Sequence, residues 1–331
     1  MKAIVYSQYG SPDVLQLQEV EKPLPKDNEV LIKVHATSVN FGDTIARNYK
    51  AISPSRFNMA FPIWLMAKIS FGLNQPKITI LGNEFAGEIE AVGIDVTKFK
   101  PGDQVFGYVG EKMGAYAEYL CMPANGVLAS KPTNLTFEEA AVVPYGALMA
   151  LPLLRKANIK PGDKVLINGA SGGIGSAAVQ IAKYLGAEVT GVCSTSKMEF
   201  VKSLGATKVI DYTKEDFTQN GETYDLIFDI LGRGSVSRCK GSLTPNGIHL
   251  FASFKMKQLL QMLWTSRSGG KKVICALSPV SIEDVNTIKE LVEEGKFKAV
   301  IDRCYPLEKI AEAHRYVENG HKCGGVAISV N

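Results

Sequence analysis

A glycine-rich loop constrains this chain more than any other feature of its sequence. The loop follows an apolar run, Lys164–Asn168, precedes a helical pattern, and carries glycines at positions 169, 172, 173 and 175. Such a loop turns tightly, lets a pyrophosphate approach the backbone, and presents the N–H groups of a helix N-terminus to phosphates. A glycine cluster alone can serve only as a turn, but the strand before it and the helix after it favour a dinucleotide site. Its predicted contacts are Gly169, Ser171, Gly172, Gly173, Ile174 and Gly175.

From about residue 127 onward, short apolar segments alternate with helical ones. Strands separated by helices indicate a parallel sheet that is buried on both faces. Six such strands match the number in a complete dinucleotide-binding domain. The predicted strands are Lys164–Asn168, Glu188–Cys193, 208–212, 224–230, 247–253 and 271–277, with helices at 175–185, 196–204 and 283–294.

The first 125 or so residues follow a different pattern, in which turns separate short predicted strands. The C-terminal tail returns to this pattern. Residues 51–76 interrupt the pattern as an apolar insertion that is expected to contain a short helix. Two interpretations of this insertion stay open. Its aromatic residues either pack locally or line a substrate cleft, and the second interpretation predicts that Phe57, Phe61, Trp64 or Phe71 borders that cleft.

Composition excludes several functional classes. The 331 residues are 46% hydrophobic and carry a net charge of only +4, with no Lys/Arg run longer than two, so nucleic-acid binding has no electrostatic basis. Six dispersed cysteines without a CxxC pair indicate free thiols in a reducing compartment. The N-terminus lacks a signal-peptide core, and no apolar run reaches the ~20 residues of a membrane span. A cytoplasmic protein is therefore expected.

The end of the second predicted strand bears on the choice of nucleotide. NAD sites usually place Asp or Glu there, about twenty residues beyond the loop, to bond the ribose 2′-hydroxyl. This chain instead has Ser194, Thr195, Ser196 and Lys197. Hydroxyls and an ammonium suit a 2′-phosphate, which a carboxylate would repel. Ser194 also fits a helix cap, and both roles are compatible. The pattern favours NADPH over NADH.

Motifs along nearly the whole chain resemble the medium-chain dehydrogenase/reductase superfamily, in its zinc-independent, quinone-oxidoreductase-like branch. In order, they are YGSPDVLQL, VLIKVHATSVNFGDTIAR, LGNEFAGEIEAVG, KPGDQVFGY, AAVVPYGALMAL, the glycine loop and KSLGATKVIDY. The resemblance implies an α/β protein in which a GroES-like, mainly-β catalytic domain accompanies a doubly wound parallel-sheet Rossmann domain. The expected boundaries are 1–126 and 298–331 for the catalytic domain and 127–297 for the Rossmann domain.

The same resemblance implies further contacts. Lys197 and Tyr212 are similar to a pair that contacts the 2′-phosphate in quinone reductases, and Leu231 and Phe251 are expected to contact the cofactor as well. Members of the family often form dimers through a Rossmann edge strand, for which residues 271–277 are the candidate here.

Departures from the zinc alcohol dehydrogenases of this superfamily decide the question of a metal. Asn40 stands at the position resembling the first zinc ligand, and Asn83 replaces the histidine of the next motif. No Cys or Asp lies between Glu139 and Arg155, where a third ligand is expected, and Cys121 is alone where a structural zinc lobe would need four cysteines. No metal is predicted.

Without a metal to polarise a carbonyl, substrates that accept hydride readily are favoured, namely quinones or α,β-unsaturated carbonyl compounds. The catalytic candidates are Asn40, Tyr49 and Tyr145. Asn40 either orients the nicotinamide or a substrate oxygen, or forms a structural bond from its side chain to the backbone. The tyrosines either donate a hydrogen bond or proton, or form an aromatic wall. Asp43 is expected to be structural, and Lys271-Lys272 either edges the substrate channel or begins a strand.

Two other functions stay open at this point. One is a catalytically weak protein in which bound NADPH serves interaction or sensing, and the other is a reductase of other carbonyl compounds.

Overall fold

The computed structural model describes residues 1–232, 234–267 and 269–330 and divides them into two compact units. The first unit comprises Met1–Ser53, Met66–Tyr145 and the described residues from Val280 onward, and the second comprises Pro54–Leu65 and Gly146–Pro279. No helix in the described ranges is long and apolar enough to cross a membrane.

The first unit is built on β-sheets. Its strands are β1 (Lys2–Val5), β2 (Gln16–Glu19), β3 (Glu29–Ser38), β4 (Glu84–Val92), β5 (Gln104–Tyr108), β6 (Tyr119–Pro123), β7 (Leu128–Ser130), β14 (Ile301–Pro306) and β15 (Gly325–Ser329). β1 and β2 form an antiparallel pair, and the other seven form one sheet in the order β14-β15-β3-β4-β5-β7, with β6 also paired to β3. The mainly-β character expected for the catalytic part is confirmed.

The helices of the first unit connect and cover these strands. They are α1 (Phe41–Arg47), α3 (Phe137–Ala141), α9 (Ile282–Glu293) and α10 (Ile310–Glu318), while α2 (Phe61–Phe71) begins in the second unit and ends in the first. The short helix expected within residues 51–76 is therefore present as α2, with Pro62 in its first turn, where the missing N–H costs little.

The second unit contains a six-stranded parallel sheet. Its strands are β8 (Lys164–Asn168), β9 (Glu188–Cys193), β10 (Lys208–Asp211), β11 (Tyr224–Asp229), β12 (Leu243–Phe251) and β13 (Lys272–Cys275). Their spatial order is β10-β9-β8-β11-β12-β13, the doubly wound order in which the chain reverses direction next to the first strand. The helices are α4 (Pro144–Lys156), α5 (Gly173–Tyr184), α6 (Met198–Ser203), α7 (Val236–Cys239) and α8 (Met256–Ser266).

The two compact units differ from the expected domain boundaries in three places. β7 pairs with β5 in the first unit's sheet, and α9 packs beside β7, where Asn134 Nδ2 donates to the Val292 carbonyl at 2.9 Å. These contacts place residues 127–145 and 280–297 with the first unit, although the sequence assigned them to the Rossmann domain. Residues 54–65 pack with the second unit for the same kind of reason, because Met59 and Ile63 contact its core.

Alternating side chains of β3 build the core of the first unit. Val30, Ile32 and Val34 are buried on one face and pack with Phe85 and Ile89 of β4. Successive residues of a strand point to opposite faces, so these three side chains share one face of the sheet.

We expect Phe85→Ala to lower the free energy of unfolding by about 3–5 kcal/mol, because Phe85 is 0% exposed and its removal leaves a cavity in a packed core. Phe61→Ala is the matched control at an exposed position and should change stability by less than about 0.5 kcal/mol. Urea denaturation of both variants checks this. If Phe85→Ala lowered the free energy of unfolding no more than Phe61→Ala does, the Phe85 ring would not be part of the core.

Candidate functional site

The glycine loop connects β8 to α5 at the point where the strand order of the second unit reverses. Gly169 has φ +97°, a conformation that L side chains rarely adopt. A Cβ on Gly175 would overlap the Gly169 carbonyl oxygen, so this position also requires glycine. Tight turning and close packing of helix on strand are thus properties of the observed backbone.

The N-terminus of α5 has no side-chain cap. The capping residue, Gly172, supplies no side chain to the first N–H groups of the helix, and a Cβ placed on it would meet no atom within 4 Å. Helix N–H groups without a side-chain cap fit a phosphate. Leu231, which follows β11, lies over Gly169 and is partly exposed there, as a cofactor-contacting residue would be.

Phe251 sits differently from the other predicted cofactor residues. Its ring is fully buried in a core cluster and lies 4.0 Å from the ring of His249, centroid to centroid. A cofactor would reach its backbone rather than its ring, so its predicted contact has no support from side-chain exposure.

The residues predicted to bind the 2′-phosphate lie together at the end of β9. The Lys197 N–H donates to the Ser194 carbonyl at 3.0 Å, and the Tyr212 N–H donates to the Cys193 carbonyl at 3.1 Å. Ser194 and Lys197 are half-buried, and Tyr212 is exposed. The spacing in the sequence brought these three residues to one place, and their contact with a phosphate stays a prediction.

A carboxylate that the sequence reasoning missed lies beside this group. Asp211 ends β10 directly opposite Cys193, and it accepts hydrogen bonds from the Thr195 hydroxyl and from Thr213. These donors, the Thr195 hydroxyl first, hold the pKa of Asp211 below its usual value. The carboxylate therefore orders the turn that carries Thr195. Its position next to Tyr212 in the sequence was the available signal.

In the first unit, a buried carboxylate organises the candidate catalytic residues. Glu84 begins β4 and accepts hydrogen bonds from the Ser38 hydroxyl, from Asn40 Nδ2 at 2.8 Å and from the Tyr145 N–H at 2.6 Å. Burial raises the pKa of Glu84, and these donors act in the opposite direction. Three donors to a desolvated carboxylate are what its burial requires.

This arrangement fixes the Asn40 side chain. Its Nδ2 donates to Ser38 Oγ at 2.9 Å as well as to Glu84, and it lies 3.3 Å from Asn83 Oδ1. The amide nitrogen is thereby committed to the cluster, which supports the structural role considered for Asn40. The two positions that resemble zinc ligands, Asn40 and Asn83, do meet, but both are neutral amides. Across the part of the chain that the structure describes, no group of three or more His, Cys, Asp or Glu side chains is arranged to hold a metal ion.

The two candidate tyrosines differ in their surroundings. Tyr49 is only 2% exposed and its ring is tilted against Phe71 at 5.3 Å, so its burial favours the aromatic-wall interpretation. Tyr145 is partly exposed and lies 6.3 Å from the Tyr108 ring, centroid to centroid. Burial raises the pKa of Tyr49 to about 12 and raises that of Tyr145 as well. Both hydroxyls therefore keep their protons at neutral pH and are available as hydrogen-bond donors.

The structure bears in part on two further sequence hypotheses, which concern the aromatic residues of the insertion and the pair Lys271-Lys272. Phe61 stacks on Trp64 in the second unit, whereas Phe71 lies against Tyr49 in the first, and whether any aromatic residue of the insertion borders a substrate stays a prediction. Lys271 Nζ donates to the Lys240 carbonyl at 2.6 Å, and Lys272 begins β13. These positions match the strand-start interpretation of the two lysines.

Asp43 links the start of α1 to the same cluster. Its Oδ2 accepts the Asn40 N–H at 2.8 Å, and its side chain is fully buried, in keeping with the structural role expected for it. Beneath it lies a network the sequence did not reveal, in which His314 bridges Tyr116 and Arg47, and Arg47 pairs with Glu318.

Desolvation raises the pKa of Asp43 to about 7, against about 3.9 in an unfolded chain. Between these values the folded chain holds a proton that the unfolded chain releases, so the contribution of Asp43 to the free energy of unfolding falls as pH rises from about 4 to about 7. We expect Asp43→Asn to make the slope of the free energy of unfolding against pH more positive by up to about 1.4 kcal/mol per pH unit. Urea denaturation across that range measures it. An exposed control, Asp95→Asn, should leave the slope unchanged, and an unchanged slope in Asp43→Asn would refute the assignment.

Comparison with known proteins agrees with this geometry. The family model described as alcohol dehydrogenase GroES-like domain matches residues 26–133, and the one described as zinc-binding dehydrogenase matches residues 204–328. The 2-methylene-furan-3-one reductase of Solanum lycopersicum is 32% identical, with 99% of this chain and 79% of that protein covered. The chloroplastic NADPH-dependent alkenal/one oxidoreductase of Arabidopsis thaliana is 31% identical over the same shares.

Among solved structures, the quinone oxidoreductase from Coxiella burnetii is similar over 100% of this chain and 99% of its own, with a TM-score of 0.86 and 31% identity. One of the two family models carries zinc in its description, whereas the positions of this chain that resemble zinc ligands hold Asn40 and Asn83. The chain is an oxidoreductase with a nicotinamide cofactor, and it belongs to the zinc-independent, quinone-oxidoreductase-like branch of the medium-chain dehydrogenase/reductase superfamily.

Proposed function

We propose that this enzyme transfers hydride from NADPH to quinones or to the activated C=C bond of α,β-unsaturated carbonyl compounds. The single observation that carries the proposal is the pair of amides, Asn40 and Asn83, at the positions resembling zinc ligands, with Asn40 Nδ2 bonded to the buried Glu84 carboxylate. Neutral amides polarise a ketone carbonyl far less than a metal ion does, so an acceptor that is already activated suits them better. The relatives named for alkenal/one and furanone reduction support the same substrate class.

NADPH, when bound, supplies the hydride. The loop Gly169–Gly175 with the N-terminus of α5 holds its pyrophosphate, and Ser194, Lys197 and Tyr212 take its 2′-phosphate. This division assigns cofactor binding to the second unit's own residues.

In the first unit, a hydrogen-bond donor must stabilise the negative charge that develops on the acceptor oxygen. Tyr145 is the stronger candidate, because its side chain is partly exposed, whereas Tyr49 is buried. Glu84 acts as a positioning residue, since it holds both the Asn40 amide and the Tyr145 backbone N–H.

A steady-state screen of quinones and enones with NADPH tests the function, and Tyr145→Phe tests the donor. Loss of one donor to an oxyanion is expected to lower kcat about 10²- to 10³-fold, while Tyr49→Phe as the matched variant should change it far less. Tight NADPH binding without turnover of any quinone or enone would instead identify a binding or sensing protein. Equal effects of the two substitutions would refute the assignment of Tyr145.

Cofactor choice supplies a separate prediction. A charge-assisted hydrogen bond is worth ~1.5–3 kcal/mol, which is roughly ten- to a hundredfold in binding. NADPH should therefore be preferred over NADH by at least about tenfold in kcat/KM, and Lys197→Ala should remove most of that preference while leaving NADH use nearly unchanged. The preference should weaken as salt rises.

The matched control is Lys202→Ala, which removes an exposed lysine that pairs with Glu199 on the next helix, α6. It should leave the cofactor preference intact. Equal use of both cofactors by the wild type, or equal damage by Lys197→Ala to both, would contradict the role given to residues 194–197.

A further inference from the structure

The outward face of α8 is apolar, although the helix is already anchored by its other side. Met256, Leu260, Leu263 and Trp264 are between 44% and 78% exposed, and their spacing of four, three and one residues puts them on one helical face. Together these four residues form the α8 face. An exposed Trp and two exposed Leu residues on one face are more than scattered surface apolar residues explain.

The opposite side of α8 supplies the anchoring. Leu259 and Met262 pack on the cluster that contains Phe251, Phe254, Val273 and Cys275. The α8 face therefore contributes nothing to this core.

Residues 55–65 lie next to α8 and add exposed apolar side chains to the same region of the surface. Met59 and Ile63 pack on the same cluster as α8, and Lys255 Nζ donates to the Ser55 carbonyl at 2.7 Å. Within this segment, Phe61 and Leu65 are themselves exposed large apolar residues. Exposed apolar side chains thus occur on two adjacent elements of the second unit.

The charge of this region is one-sided. Residues 230–282 contain eight Lys and Arg residues and no Asp or Glu. Lys257, Arg267 and Lys272 are exposed, and no carboxylate among the described residues forms an ion pair with them. The positive charge beside the α8 face is therefore not compensated within the described chain.

We propose that the α8 face docks onto the surface of an anionic lipid bilayer. An apolar helical face that carries Trp and Leu and is flanked by Lys and Arg lies at a membrane interface, with its apolar side chains in the acyl boundary and its cations near the headgroups. The helix has eleven residues, which is too short to span a bilayer, so it lies on the surface.

Charge also argues against a second copy of the chain as the occupant of this face. A two-fold interface through the α8 face places the same patch on both subunits, so the exposed Lys257 and Arg267 would face their own copies. Like charges opposed across an interface are unfavourable, whereas an anionic bilayer complements them.

Flotation with vesicles tests the proposal. The 331-residue chain should bind vesicles of equal parts phosphatidylcholine and phosphatidylglycerol at least about tenfold more tightly than vesicles of phosphatidylcholine alone, and added salt should reduce the difference. The double variant Leu260→Ser/Trp264→Ser should lose about tenfold or more in binding to the anionic vesicles. The control Leu24→Ser/Ile94→Ser removes two apolar residues of the first unit that are even more exposed, and it should bind as the wild type does.

The charge contribution is measured by Lys257→Glu/Arg267→Glu, which should weaken binding to anionic vesicles about tenfold or more but leave binding to phosphatidylcholine unchanged. Lys202→Glu is the control outside the acid-free stretch. Unchanged thermal unfolding of each variant shows that the fold is intact.

Two results would overturn the proposal. One is wild-type protein that does not float with anionic vesicles, or α8-face variants that float as well as wild type. The other is a sedimentation-equilibrium experiment in which Leu260→Ser/Trp264→Ser converts a dimer into a monomer, since the face would then belong to a second copy.

Discussion

The buried carboxylate of Glu84 is the interaction on which the rest of the first unit's site depends. A desolvated carboxylate is costly unless hydrogen bonds compensate it, and its three donors come from separate elements: Ser38 at the end of β3, Asn40 at the start of α1, and the backbone of Tyr145 in α4. Each donor thereby has a fixed place relative to β4. A substitution that removes the carboxylate leaves the side chains of Ser38 and Asn40 and the backbone N–H of Tyr145 without this hydrogen-bond acceptor.

In the second unit, the candidate cofactor site is built by backbone geometry rather than by a buried charge. Positive φ at Gly169 and the close approach at Gly175 bring β8 directly into α5, and Gly172 leaves the helix N–H groups uncapped. Under the proposed function, Ser194, Lys197 and Tyr212 at the neighbouring strand ends add the specificity for the nucleotide. Asp211 lies beside the residues proposed to bind the 2′-phosphate, but its carboxylate accepts hydrogen bonds from the hydroxyls of Thr195 and Thr213.

Much of the second unit could be predicted because its determinants are local. β8 and β9 begin and end where the sequence placed them, and all six strands occur in the expected succession, since short apolar runs between helices have few other solutions. The domain boundaries differ from the expected ones where a segment's partner is distant in sequence. β7 and α9 join the first unit through contacts with β5 and with each other. Pairing across such separations leaves no periodic signal.

The polar clusters were harder to foresee for the same reason. Ser38, Asn40 and Glu84 are read separately along the chain, and only the register of β3 against β4 brings Ser38 to Glu84. The network of Arg47, Tyr116 and His314 joins residues nearly 270 positions apart at its widest. Tyr49 and Phe251 were singled out by type and position, whereas burial, which the sequence does not display at single residues, separates them from Tyr145 and Leu231.

The central claim is that this chain reduces activated acceptors without a catalytic metal, with neutral amides at the positions where the zinc alcohol dehydrogenases of its superfamily bind one. The most direct measurement combines zinc content with NADPH-dependent turnover of a quinone or an enone in one preparation, before and after treatment with a chelator. The account predicts well below about one zinc per chain and turnover that the chelator leaves unchanged. One tightly held zinc per chain, with turnover that disappears on its removal and returns on its addition, would contradict it.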